Sequence, residues 1–371
     1  MSALPSRSPR RGTTTRPPAD ILRDMAGGFV SSQVLHTAVV LGLPDHLADR
    51  IVPVRRLATL AGAKLSPLRR FLRMMTVLGL VEERSSDRFA LSPLGNLLRT
   101  DHPASHRDRI RYIGKVVLPA SMGMTHAVRT GLPAFDKIFG EPFFAYLGRD
   151  REAGSLFNEM MRQAVDDRIS GILDAYDFGA MGSLLDVGGG SGALVDAILR
   201  RSPGPTGAVF DARAVVAEAR LRFRKSGLTR RTSTVAGDFF VDAVPEGFDL
   251  YILSHIIHDW DDDRSIRILR NCRAAMKKGS RLLVIEGLLP KASTTAPATV
   301  AMDFSMLMLT GGRERTATEY RKLFKAAGLR LTRTLPFRPG RLSNGRLANW
   351  AILECESIPG TPRRKTSSRQ R

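Results

Sequence analysis

From residue 21 the apolar positions keep one helical face: Ile21, Leu22, Met25, Phe29, Val30, Val34, Leu35, Ala38 and Val39. Gly42-Leu-Pro44 stops that helix. Leu57–Gly62 and Ser66–Gly79 follow as helical patterns, the second with Ser66 as expected N-cap and Pro67 at the first helical position. Val81–Glu83 and Arg88–Leu91 flank Ser-Ser-Asp as a short hairpin. Three helices and a hairpin describe a winged helix. As a DNA reader it would set Arg69, Arg70 and Arg73 in a major groove. As an assembly domain it would bury apolar faces against a second subunit. The first helix is apolar over too wide an arc for a surface helix, which favours assembly.

Residues 104–180 read as helical and connecting, rich in Met and Phe (Met122, Met124, Phe135, Phe139, Phe143, Phe144, Phe157, Met160, Met161). Such residues are commonly core. Lying between an assembly module and a nucleotide fold, part of this run could roof a pocket for a flat apolar substrate, with Phe157, Met161 and the later Met306 as lining candidates. Between 183 and 355 strands alternate with helices: 183–187, 207–211, 232–236, 248–254, 280–286 and 348–354 are the expected strands. That is a doubly wound, Rossmann-like α/β domain. The expected organisation is a basic tail (1–19), a winged-helix dimerisation domain (20–103), a helical connector and pocket segment (104–180), a nucleotide-binding catalytic domain (181–356) and a second basic tail (357–371).

The most informative run is Leu184-Leu-Asp-Val-Gly-Gly-Gly-Ser-Gly-Ala193. It predicts a buried strand, a tight turn and a helix N-terminus, where backbone N–H groups approach a ligand closely. Gly188, Gly190 and Ala193 also satisfy the dinucleotide fingerprint. The acids decide against it. Asp186 stands two residues before the first glycine, where it suits an ammonium group and would repel a pyrophosphate. Gly207-Ala-Val-Phe-Asp211 ends in an acid suited to a ribose diol. Ser233-Thr-Val-Ala-Gly-Asp238-Phe-Phe240 ends in Asp238 and Phe239, suited to an adenine amine and its flat face. Acids closing three successive strands suit S-adenosylmethionine better than NAD.

Composition narrows the class. Of 371 residues, 43% are apolar and 25% charged, an ordinary globular balance. The net charge of +21 invites a nucleic-acid reading. Much of it sits at the ends, in Arg7, Arg10, Arg11 and Arg16 and in Arg363, Arg364, Lys365, Arg369 and Arg371, which are expected to be disordered. No aromatic-interleaved basic patch offers a stacking surface, so no specific nucleic acid is expected. Cys272 and Cys355 lack metal-ligand spacing. No membrane-length apolar run occurs. A cytoplasmic protein without a metal is expected.

The fourth strand runs into His255-Ile-Ile-His258-Asp-Trp260. Ligands in open α/β sheets bind beyond the carboxyl ends of strands, so His258 falls near the cofactor; His255 reads as structural. Glu286 ends the fifth strand and Glu314 lies in Gly-Gly-Arg-Glu-Arg-Thr. A histidine flanked by carboxylates has one nitrogen oriented, its pKa raised and the other nitrogen left to accept a proton. Alternatively, both glutamates pair with Arg313 or Arg315.

With Val128-Arg-Thr-Gly131, Leu185-Asp-Val-Gly-Gly-Gly190, Gly237-Asp-Phe239, His258-Asp-Trp260, Asn271-Cys272 and Gly311-Gly-Arg-Glu-Arg-Thr316, the chain resembles the small-molecule O-methyltransferases. These are the plant caffeate and hydroxyindole enzymes and their bacterial polyketide and carotenoid relatives. The resemblance implies a homodimer and a hydroxylated small-molecule substrate. It implies His258 as general base between Glu286 and Glu314, Asp211 at the ribose, Asp238 and Phe239 at the adenine, and Gly188–Gly190 at the methionine part. Ser254, counted with the cofactor residues, replaces the lysine usual in plant members, and Asp211-Ala-Arg replaces Asp-Leu-Pro. Competing readings are a non-methylating hydroxylase or decarboxylase relative, against which His258 argues, and a nucleic-acid methyltransferase or regulator.

Overall fold

In the computed structural model, residues 16–338 and 348–359 are described. The chain divides into two compact units, Met1–Gly114 and Lys115–Arg371. Most of the two expected tails lies outside the described residues. Pro18 and Ala19, however, open the first helix, and Ser357 closes the last strand.

The first unit holds helices Pro18–Val40, Val54–Leu60 and Leu65–Val77 and a three-stranded antiparallel sheet. Its strands are β1 (Val52–Pro53), β2 (Val81–Ser85) and β3 (Arg88–Leu91), in the order β1-β3-β2. Leu43, Leu47, Leu57, Leu72, Met75 and Phe89 are fully buried at its centre. The expected cap at Ser66 is not formed. The helix begins at Leu65 with Lys64 before it, so Pro67 is the third helical residue. Its missing N–H falls among those that have no intrahelical partner anyway. Of the first helix only Val34, Ala38 and Val39 are buried, while Met25 is 73% and Phe29 63% exposed. Its N-terminal half therefore presents bare apolar surface to be covered.

The second unit is built on a seven-stranded sheet in the order β6-β5-β4-β7-β8-β10-β9. Its strands are β4 (Ser183–Val187), β5 (Thr206–Asp211), β6 (Thr232–Ala236), β7 (Leu250–Ser254), β8 (Arg281–Gly287), β9 (Leu329–Phe337) and β10 (Trp350–Ser357). The strands from β6 to β8 pair in parallel, and β10 pairs antiparallel with both β8 and β9. Apolar clusters cover both faces, one around Tyr251, Leu282 and Phe324, the other around Leu184, Ile252 and Ile285. β9 was not expected. Arg330, Thr332, Arg333 and Thr334 break its apolar pattern, as an edge strand permits, and Pro336 is tolerated there too.

The order of strands reverses between β4 and β7, the switch point beyond whose carboxyl ends open sheets of this kind bind ligands. The glycine turn after β4 and the histidine turn after β7 lie there. The second turn is clamped by Arg315, wholly buried. Its guanidinium donates to the carbonyls of Ile257 at 3.1 Å and Trp260 at 2.8 Å and to Asp262 Oδ1 at 2.8 Å. Gly312 approaches so closely that a Cβ there would lie 2.1 Å from the His258 carbonyl oxygen.

Candidate active site

The glycine turn places two acids together. Gly188 (φ +74°) donates its N–H to Phe210 O at 2.8 Å, and a Cβ there would strike Ile256 Cδ1 at 2.4 Å. Gly190 (φ +57°) donates to Asp211 Oδ2 at 2.8 Å, while Ala212 N–H meets Asp211 Oδ1 at 2.6 Å. Burial raises Asp211 and these two donors hold it back. Asp186 is buried, and its Oδ1 has no hydrogen-bond partner. Burial, reinforced by the charge of Asp211, pushes its pKa up to about 7. A buried acceptor of this kind, beside a turn where a Cβ at Gly188 or Gly189 would clash, fits a cationic ligand group.

Asp238 is exposed two residues beyond β6 and accepts the Phe240 N–H at 2.8 Å. Phe239 reaches the Gly188 turn and has its carbonyl held by Asn271 Nδ2 at 2.8 Å. Ser254 closes β7, half-buried, between these groups and the histidine turn. Asp186, Gly188, Gly190, Asp211 and Phe239 are thus assembled around one turn, with Asp238 at its exposed margin.

His258 lies on a single 3-10 turn, Ile257–Asp259, and is buried. Its Nδ1 is 2.8 Å from Glu314 Oε1. Glu286, wholly buried in β8, accepts with Oε1 from the N–H of Ile256 (3.1 Å), Ile257 (2.9 Å) and His258 (3.4 Å). A carboxylate at Nδ1 favours the proton there and leaves Nε2, 3.7 Å from Asp259 Oδ1, as the second ring nitrogen. Burial alone would pull the His258 pKa down. The charges of Glu286, Glu314 and Asp259 outweigh it and push it up to about 10. Burial raises Glu286 above the carboxylate range and lifts Asp259 to about 6.

The alternative pairing of these glutamates with arginine is not formed. Arg313 and Arg315 both bond Asp262. His255, at φ +59°, stacks on Trp350 at 4.7 Å and meets His258 edge-on at 4.5 Å. Burial holds it well below the ordinary histidine range, so it is neutral. His258, Glu286 and Glu314 also offer metal-ligand atoms within 4.8 Å of one another. Holding one ion together would require breaking the His258–Glu314 hydrogen bond.

Of the lining candidates, Phe157 packs edge-on against Phe143 and Phe144, and Phe144 stacks on Trp260 at 5.4 Å. Met161 is half-buried on the same helix, Arg151–Ala175. Met306 is buried in the helix Pro297–Leu309, whose Asp303 accepts the Glu314 N–H at 2.9 Å. Sequence reasoning gave no role to Asp259, Trp350 or Arg168, and named Arg315 only as a possible partner of the two glutamates. The signal for Asp259 was its place beside His258. Arg168 follows Met161 by two helical turns.

A family model for an O-methyltransferase domain matches residues 122–330, and one for an O-methyltransferase dimerisation domain matches 23–101. The chain is 40% identical over 324 residues to phenazine O-methyltransferase PhzM of Lysobacter antibioticus, covering 87% of this chain and 94% of that protein. It is 33% identical over 334 residues to aclacinomycin 10-hydroxylase RdmB of Streptomyces purpurascens, covering 86% and 88%. The O-methyltransferase NcsB1 of neocarzinostatin biosynthesis, solved with S-adenosylmethionine and 2-hydroxy-5-methyl naphthoic acid, superposes with a TM-score of 0.78. Identity is 32%, over 88% of this chain and 96% of that one. The chain belongs to the S-adenosylmethionine-dependent small-molecule O-methyltransferases, enzymes that methylate a hydroxyl oxygen and carry a dimerisation domain ahead of the catalytic one.

Proposed function

We propose that the acceptor is a hydroxylated aromatic or polyketide-like small molecule, deprotonated by His258 as general base. The observation that supports this is the 2.8 Å bond from His258 Nδ1 to Glu314, which leaves Nε2 available to an acceptor. S-adenosylmethionine, when bound, supplies an electrophilic methyl group to the acceptor oxygen. His258 Nε2 takes the hydroxyl proton, Glu314 holds the Nδ1 proton, and Glu286 fixes the backbone of the turn. Asp186 takes the cofactor's cationic amino group, Asp211 the ribose, and Asp238 with Phe239 the adenine. Gly188, Gly190 and Ser254 border the methionine part. Phe157, Met161 and Met306 line the acceptor side. The enzyme works as a cytoplasmic homodimer without a metal or a specific nucleic acid. Among the described residues no helix is long and apolar enough to cross a membrane. The hydroxylase among the relatives makes product identity the deciding assay: a product one CH₂ heavier than the acceptor supports methylation, and one oxygen heavier refutes it.

His258→Ala is expected to lower turnover ~10²–10⁴-fold with S-adenosylhomocysteine affinity unchanged by calorimetry. Equal turnover would make the histidine structural. The pH profile gives a second test. A base with a pKa near 10 in the free protein must lose its proton to act, so kcat/KM should rise with pH towards that value. Glu314→Gln removes one of the carboxylates that stabilise the imidazolium, so this limb should move to lower pH. An unmoved limb would show that Glu314 does not set the charge of His258.

Asp186 allows a stability test. Its folded pKa of about 7 exceeds the ordinary 3.8, so the folded protein holds that proton more tightly than the unfolded chain. Stability therefore falls as pH rises from about 4 to 7. Asp186→Asn should raise the Tm of the free protein by roughly 3–8 °C at pH 8 and leave it level at pH 4. The same change should weaken cofactor binding by about tenfold or more, through loss of a charge-assisted bond. Unaltered affinity would remove Asp186 from the cofactor site.

The bare face of the first helix should be the dimer contact, so Met25→Glu with Phe29→Glu should yield monomers in sedimentation. An intact dimer would place the contact elsewhere.

A further inference from the structure

The helix Arg151–Ala175 carries a cation that the methyl-transfer machinery does not use. Arg168 is only 5% exposed, and its Nε and Nη2 are buried with no hydrogen-bond partner. Among the described residues no carboxylate pairs with it. Asp167 beside it, and Glu286 and Glu314 in the catalytic group, act on it only through their fields. Burial lowers its pKa to about 10, which leaves it charged at neutral pH. A buried guanidinium with idle donors destabilises a fold unless something else pairs with them.

Its surroundings indicate what that is. The guanidinium carbon lies 4.7 Å over the ring of Trp350. That ring stacks on His255, which meets His258, so a continuous path of ring contacts links Arg168 to the base. On the helix, Phe157, Met161 and Arg168 fall within about 40° of one another, at 3.6 residues per turn. The donors therefore belong to the same stripe as the two side chains assigned to the acceptor. A flat fork lying on an indole is preorganised for a carboxylate lying roughly in the plane of an aromatic ring.

We propose that Arg168 is a substrate-recognition residue that binds a carboxylate carried by the aromatic acceptor, so that the preferred substrates are hydroxyaryl carboxylates. This rests on the reading of Phe157 and Met161 as acceptor lining. The orphan donors are satisfied by the substrate, and the cost of burying them in the free enzyme becomes selectivity for acids over neutral analogues. The rival role is purely structural, with Arg168 offsetting the field of Glu286 and Glu314.

The test compares hydroxybenzoates and hydroxynaphthoates with their primary carboxamides, of nearly the same shape but neutral. Each binds the full-length protein with S-adenosylhomocysteine present, followed by calorimetry and thermal shift. Wild type should bind the best acid at least tenfold more tightly than its amide. Arg168→Met should erase that difference without lowering the Tm of the free protein, and Arg168→Lys should retain part of it. Equal binding of acid and amide by wild type, with methyl transfer to a neutral phenol intact, overturns the carboxylate assignment alone. So does a preference that survives in Arg168→Met. Failure of every acceptor to bind or to be methylated overturns both the assignment and the reading beneath it. If Arg168→Met does not fold, the wild-type comparison and Arg168→Lys decide.

Discussion

The catalytic half of the molecule depends on one buried carboxylate. Glu286 sits inside β8, wholly enclosed, and turns one oxygen towards three successive backbone N–H groups at the end of β7. Those groups belong to a turn that leaves the sheet and so has no strand partners of its own. Left unbonded in the interior, each would cost about 1–3 kcal/mol. The carboxylate satisfies them together and fixes the His258 turn to the sheet. β8 is itself held between β7 and β10, so the anchor is as rigid as the sheet.

The carbonyl side of the same turn is fixed by a cation. Arg315 takes the oxygens of Ile257 and Trp260, while Gly312 lets its own loop lie against the His258 carbonyl. Arg313 N–H completes the contact by donating to that carbonyl at 2.8 Å. Glu314, between these two arginines, is thereby delivered to His258 Nδ1. The short run Gly-Gly-Arg-Glu-Arg-Thr therefore does two jobs. Its small and cationic members fit and clamp a backbone, and its acidic member orients a ring.

Much of this was legible because each part follows from a local rule. The parallel strands read as apolar runs since both their faces are covered. The glycine turn and the acids at the carboxyl ends of β4 and β5 were read in their places because positive φ and the carboxyl ends of strands leave marks on sequence, whereas Asp238 falls two residues past the end of β6. β9 was not legible, being an edge strand whose outward arginines and threonines break the pattern. The Ser66 cap was misplaced because a proline three residues into a helix is tolerated as well as one at its start. Glu286 and Glu314 could be named but not chosen between two partners, since only tertiary structure sends Arg313 and Arg315 to Asp262 instead. Arg168 was invisible for a different reason. A lone arginine in a helix otherwise rich in charge reads as surface until its burial is seen.

The electrostatics of the free site also bear on how it works. His258 is raised to about 10 and Asp186 to about 7, so each holds a proton more firmly than its ordinary counterpart. One does so because acids surround it, the other because burial and a second acid disfavour its charge. Any cation brought into the site acts on both in the same direction, lowering their affinity for protons. A ligand with two positive centres, such as a sulfonium and an ammonium, would be drawn to Asp186 and would at the same time lower the proton affinity of His258. The excess of buried acid around His258 favours its protonated form in the free protein. On the proposed reading of His258 as general base, a cationic ligand would ease the proton off the ring while Glu314 kept it oriented.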